Sequence, residues 1–231
     1  FALASMLGGS DTDGFLKLLD RVEDYGLDAM STGVVLSWAT EAQEKGIIST
    51  EETLGADLSW GDYSSYIEAV QNLVEQPNDF YENLSKGVEK VSSIYGGKDF
   101  ALSFGGNEMA GYHTGHANYV GLSIGARHSH LDNAGYSVDQ KLPEDEDIPP
   151  EDLTDKLVRE ERWRQILSSL VVCFFARGVY SPEIVSQALD TLDFDYSPED
   201  LEKLGKEIHE DKYRFKFREG FTLDDLRFPK R

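Results

Sequence analysis

Four of the five histidines stand close together, as His113-x-x-His116 and His128-x-His130, with Glu108 before them and Asp132 behind. Imidazoles and carboxylates at such spacings can ligate a divalent metal, hydrogen-bond a substrate or carry protons. The spacing matches no closed zinc signature, which turns the reading toward loop or pocket histidines. The lone cysteine, Cys173, lies in the apolar run Leu167-Ser168-Ser169-Leu170-Val171-Val172-Cys173-Phe174-Phe175. One reading makes it a small buried hydrophobe. The other makes it a thiolate ligand to iron or an iron-sulfur cluster, whose remaining ligands must then come from elsewhere. A third group, Glu23-Asp24-Tyr25-Gly26-Leu27-Asp28, directly precedes Ala29-Met30-Ser31-Thr32-Gly33. Its carboxylates can cap helices or accept hydrogen bonds from the N–H groups of a heterocycle, while the next helix N-terminus attracts anions.

The elements that must hold these groups are almost all helical. Phe15, Leu18, Leu19 and Val22 recur at helical spacing behind Ser10-Asp11-Thr12-Asp13, up to Gly26. Helices are expected from Ala29 to Lys45, from Asp62 to Pro77, and from Phe80 to Ile94. From Lys98 to Asp139 glycines interrupt the periodicity, and the stretch reads as irregular, ligand-approaching loops. Pro143 to Asp155 reads as an exposed acidic connector. Leu157 to Arg177 reads as a helix whose second half, Ile166 to Phe175, is central to the core. Ser181-Pro182-Glu183 and Ser197-Pro198-Glu199-Asp200 open two more helices, the cap preceding the proline in each. The expected fold is all-α, with two helical lobes, 1–97 and 98–231.

The chain has 231 residues, 43 acidic and 22 basic, for a formal charge of −21. Phosphates are repelled by such a surface, which argues against nucleic acid and anionic membranes as partners. At 40% hydrophobic the chain can bury a core. One cysteine makes no internal disulfide, so a cytoplasmic setting is expected, and no apolar run approaches the roughly 20 residues of a membrane span. The opening Phe1-Ala2-Leu3-Ala4 reads as the middle of a segment, so a longer polypeptide is expected.

Several of these groups together carry a resemblance. Glu23-x-x-Gly26-Leu27-Asp28 with Ser31-Thr32-Gly33 is similar to the first pterin motif, Asp-x-x-Gly-Leu-Asp, of the tungsten-dependent aldehyde ferredoxin oxidoreductase family. Leu58-Ser59-Trp60-Gly61-Asp62 and Leu84-Ser85-Lys86-Gly87 match its intervening landmarks. Gly106-x-Glu108-Met109-x-x-Tyr112, Gly121-Leu122 and Gly125-Ala126-x-His128 resemble the stretch leading to its active-site histidine. Ser168 to Cys173 falls where its second pterin motif ends in a cluster cysteine, and Phe217-Arg218-Glu219-Gly220-Phe221 resembles its terminal signature.

The resemblance implies a tungsten (or molybdenum) bis-molybdopterin and a 4Fe-4S cluster, with aldehydes oxidised to carboxylic acids and electrons leaving to ferredoxin or an electron-transfer subunit. Glu23, Leu27 and Asp28 would contact one pterin, and Ser168 and Val172 the other. Cys173 would ligate the cluster and His128 would be catalytic, as a proton-handling or substrate-orienting group. The other cluster cysteines would come from an N-terminal domain of the same polypeptide, so the chain alone is expected to hold no tungsten and to be inactive; a homodimer stays open. The chain departs from the family pattern at Glu23 and Ser168, where aspartate is usual, and at Ile124, where arginine is. Those departures leave two alternatives, a subunit of a related tungsten aromatic-ring (benzoyl-CoA) reductase and a non-catalytic helical interaction module. A hydrolase with a metal at the four clustered histidines is a third.

Overall fold

The computed structural model describes residues 2–142 and 148–228. The chain divides into two compact units, Phe1–Tyr112 with Arg227–Arg231, and His113–Leu226. The described residues form eleven α-helices and one two-stranded sheet, a mainly helical fold.

The first unit contains α1 (Ala2–Met6), α2 (Thr12–Asp24), α3 (Ala29–Glu44), α4 (Tyr63–Glu75), α5 (Asp79–Leu84) and α6 (Val88–Tyr95). Local chemistry starts three of them: the Asp11, Asp28 and Asp62 carboxylates accept from Gly14, Ser31 and Ser64 N–H, at the N-termini of α2, α3 and α4. α3 is buried on all sides from Thr32 to Thr40, so it is the helix around which the unit's core is built. Inside that core the Thr40 and Tyr66 hydroxyls bond at 2.9 Å, and burial pushes the Tyr66 phenol up to about 12.

The stretch from Phe80 to Ile94 is two helices rather than the single one expected. Gly87 separates α5 from α6 at φ +97°, a conformation in which an L side chain is strained. Two short strands, β1 (Ser103–Phe104) and β2 (Asn107–Glu108), pair antiparallel across Gly105-Gly106. Both turn residues have positive φ, 53° and 82°, as a two-residue hairpin loop of this hand requires.

The second unit contains α7 (His116–Ile124), α8 (Gly135–Asp139), α9 (Pro150–Ser169), α10 (Pro182–Asp190) and α11 (Pro198–Arg218). The glycine- and histidine-rich stretch is therefore more ordered than expected. α7 has no side-chain cap of its own; Asp139 instead accepts from Ala117 N–H at 3.1 Å and Asn118 N–H at 2.8 Å. α10 and α11 open at Ser181 and Ser197, and Ser197 with Asp200 closes a full capping box.

Two expectations fail around α9. It begins at Pro150, with Glu151 and Asp152 in its first turn, so 150–155 are helix rather than connector; positions 143–147 of the expected loop lie outside the described residues. At its other end α9 stops at Ser169. Leu170 is the cap, and Val171 takes a left-handed φ of +57°. Val171 N–H reaches Ser168 O at 3.1 Å and Val172 N–H reaches Leu167 O at 3.4 Å, a Schellman closure with valine at the position glycine usually fills. The apolar run beyond it is not core: Val171 is 90% and Phe175 98% exposed.

Candidate functional site

In the first unit, three stretches distant in sequence meet around a pocket of about 300 Å³. α3 and the turn before it supply Leu27, Asp28, Ser31 and Thr32. The α5–α6 junction supplies Ser85, Lys86 and Gly87, and the hairpin supplies Gly106 and Glu108. Glu108 ties the three together, accepting from Ser31 Oγ at 3.1 Å and from Val88 N–H at 3.0 Å. A Cβ on Gly87 would come within 2.6 Å of Glu108 Oε1, so only glycine lets the carboxylate approach the start of α6. Carboxylates, hydroxyls and one ammonium line a small concave space, which suits a ligand presenting both N–H donors and anionic oxygens. Lys86 holds an ion pair with Glu82 at 2.7 Å, at the exposed side of the junction. Asp28 is exposed and accepts from Ser31 N–H at 2.8 Å, the capping role foreseen for it. Glu23 is exposed in the last turn of α2, where its carbonyl accepts from Gly26 N–H, and is not among the pocket residues.

In the second unit, His128 sits in the loop between α7 and α8, 8% exposed and at φ +53°. Its Nδ1 lies 2.9 Å from the Leu122 carbonyl. A carbonyl only accepts, so Nδ1 carries the hydrogen and a neutral ring keeps its lone pair on Nε2. The loop is held from two helices. From α9, the buried Arg164 donates to the His130 and Asn133 carbonyls at 2.9 and 2.8 Å and to Ser137 Oγ at 3.1 Å. From α11, Lys212 reaches Asp132 at 3.2 Å and Lys216 reaches the Gly125 carbonyl at 2.7 Å. Burial alone pushes the Asp132 carboxyl up, but the hydrogen bonds and charges of Arg127 and Lys212 outweigh it and leave the group below the usual aspartate range. Burial brings the Lys216 ammonium down to about 8. His113 bonds the Tyr119 hydroxyl at 2.7 Å. Among the described residues no group of three or more His, Cys, Asp or Glu side chains is arranged to hold a metal.

The remaining sequence candidates lie at the end of α9. Ser168 is half-buried in its last turn, Val172 is half-buried just past it, and Cys173 is exposed. The reading of Cys173 as a buried hydrophobe in a core helix is thus overturned by the Schellman closure, which ends the helix before it.

The family profile described as aldehyde ferredoxin oxidoreductase, domains 2 and 3, matches residues 1–231. The chain belongs to the aldehyde ferredoxin oxidoreductase family. It is 26% identical to a tungsten-containing aldehyde ferredoxin oxidoreductase of Thermococcus kodakarensis and 25% identical to one of Pyrococcus furiosus, in each case over 100% of this chain and 40% of the relative. The chain therefore spans about 40% of the length of these curated relatives. A shorter match, 30% identical over 97 residues, covers 41% of this chain and 15% of the aliphatic sulfonate oxidoreductase, WOR-like subunit, of Pyrococcus furiosus.

For a member of this family, two residues at the centre of the geometry went unassigned by sequence reasoning. Arg164 and Lys216 hold the His128 loop, and neither belongs to a motif singled out in the sequence. A signal existed for Lys216: it falls on the buried stripe of α11 with Leu201, Gly205 and His209, at spacings of one or two helical turns. No membrane-crossing helix is present among the described residues.

Proposed function

We propose that the chain is the C-terminal portion of a tungsten (or molybdenum) oxidoreductase that oxidises aldehydes to carboxylic acids and passes the electrons through a 4Fe-4S cluster to ferredoxin or an electron-transfer subunit. The observation that carries this reading is the convergence of Leu27–Thr32, Ser85–Gly87 and Gly106–Glu108 on one pocket. These are three of the separate stretches through which the sequence resembles the family.

The residues present fit the cofactors this reading requires. In the first unit Asp28 offers a carboxylate to pterin N–H groups, Leu27 an apolar contact, and Ser85 with Lys86 donors for an anionic oxygen. Glu23, exposed beside them in sequence, would add a second carboxylate. In the second unit Ser168 and Val172 would meet the other pterin. Cys173, exposed beyond α9, offers the cluster a thiol with no core to unpack. The bound metal would accept the two electrons released when an aldehyde and water become a carboxylic acid and two protons. His128 would take one of those protons at Nε2, because its Nδ1 is committed to the Leu122 carbonyl. The remaining cluster ligands would come from an N-terminal domain of the same polypeptide, and the chain by itself would then be inactive.

Metal analysis and dye-linked aldehyde oxidation on the anaerobically prepared holoprotein test the reading. Tungsten or molybdenum with an extractable pterin and aldehyde-dependent dye reduction are expected. Absence of both metals and of pterin from active-site-intact protein overturns it.

A further inference from the structure

α7 ends at Ile124, and the carbonyls of a last helical turn have no partner within the helix. Three carbonyls at this end are taken by side chains from later in the chain. Leu122 O accepts from His128 Nδ1 at 2.9 Å, and Ile124 O and Gly125 O accept from Lys216 Nζ at 3.4 and 2.7 Å. Gly125 O also accepts the His128 N–H at 3.3 Å. A single carbonyl oxygen thus joins Lys216 to the backbone of His128.

A second link runs through the rings. Lys216 Nζ lies 3.8 Å from the centroid of the Phe221 ring, and that ring lies 5.5 Å from the His128 imidazole. Phe221 therefore touches the ammonium and the imidazole together. The His128 backbone, at φ +53°, is one that a residue with a side chain keeps only where its surroundings hold it. Lys216 is 8% exposed, and its ammonium is held by carbonyl acceptors and the ring face, of which the Gly125 carbonyl and Phe221 also contact His128.

We propose that Lys216 is a positioning residue for His128, fixing the backbone through the shared Gly125 carbonyl and the ring through Phe221, so that Nδ1 remains the donor to the Leu122 carbonyl. Lys212, one turn earlier on α11, grips the far end of the same loop through Asp132 at 3.2 Å. The last two turns of α11 therefore act as a splint for the histidine loop. The proposal deepens the reading of His128 as the proton-handling group and takes its functional meaning from it, but its test reads the imidazole directly.

The test uses the 231-residue chain labelled with 15N-histidine, under conditions where the rings are neutral and circular dichroism shows the chain folded. In the unsubstituted chain the His128 ring is expected as the Nδ1–H tautomer. In Lys216→Met that tautomer is expected to give way to a mixture, and the His128 amide to exchange about tenfold faster. A role in stability alone would lower the unfolding midpoint and leave the tautomer unchanged below it. If Lys216→Met does not fold, Phe221→Leu serves: it keeps the ammonium–carbonyl bonds, so the His128 ring signals are expected to shift while the amide stays protected. A folded Lys216→Met chain with the original tautomer and exchange rate overturns the proposal, as does a Phe221→Leu chain with unshifted His128 ring signals. Loss of aldehyde oxidation in the holoprotein bears on the proposed function instead, since no metal enters this measurement.

Discussion

Ser31 and Glu108 are 77 positions apart in the chain and 3.1 Å apart at their side-chain oxygens. The same carboxylate accepts the Val88 N–H at 3.0 Å, so one side chain joins the starts of α3 and α6 across the pocket. Removing it in Glu108→Ala is expected to cost about 1.5–3 kcal/mol, the range for hydrogen bonds to a charged group. Urea unfolding of the first unit's tyrosine and tryptophan fluorescence measures this, and an unchanged midpoint would count against the bridge.

The helix end at Val171 gives a prediction of opposite sign. A β-branched residue in the left-handed region is unfavourable by about 1–2 kcal/mol, and Val171 is 90% exposed, so its side chain contributes little packing in return. Val171→Gly is expected to raise the stability of the second unit by about 1 kcal/mol after the extra freedom glycine gives the unfolded chain is deducted. Denaturant midpoints for the two chains decide it; a lower midpoint for the glycine variant would mean that the valine makes contacts the exposure does not reveal.

Much of the fold was legible because helix starts are written locally. Asp11, Asp62, Ser181 and Ser197 each announce a helix with the residue that caps it. Two of the failures have the deciding group elsewhere in the chain or of the wrong residue type for its job. α7 is capped by Asp139 from beyond its own C-terminus, which no window around His116 contains. α9 ends on a valine in place of the glycine that would have marked the stop, so Leu170 to Phe175 read as a continuing core helix. Hydrophobicity alone cannot separate a buried run from an exposed one. Of the candidate site, Leu27 and Asp28 belong to a motif singled out in the sequence and line the pocket, whereas Glu23 of the same motif does not. Glu108, which links the pocket's walls, entered the sequence reading as a neighbour of the histidines and within the Gly106-x-Glu108-Met109 stretch, never as a partner of Ser31.

Acid sensitivity follows from Asp132. Its carboxyl sits below the usual aspartate range in the folded chain, so the folded state binds that proton less readily than the unfolded one. The stability it contributes is present above the ordinary aspartate pKa and is lost as pH falls through that value toward the folded one. Asp132→Asn is expected to lower stability at neutral pH and to flatten the acid limb of the stability profile. Parallel limbs for the two chains would remove Asp132 from the cause.

Gly135 opens α8 against α7, where a Cβ would fall 2.2 Å from the Ala117 carbonyl oxygen. Gly135→Ala must push the two helices apart, and a loss of about 1–3 kcal/mol is expected from such overpacking. Thermal unfolding measures it, with the histidine loop's amide exchange expected to quicken in parallel.

The exposure of Cys173 predicts its chemistry in the isolated chain. A thiol reagent should modify one sulfur per chain without denaturant, within about tenfold of the rate in the unfolded chain. Modification only after unfolding would contradict the placement.

That placement has a consequence for how the protein evolves and is assembled. Because the helix closes before Cys173, the second unit's packing owes nothing to the sulfur. Selection can alter, lose or regain the thiol without first solving a folding problem. On the proposed reading, a cluster bound at Cys173 would add to a second unit whose helix end is already closed by its own backbone, so its insertion would not be a condition for that packing.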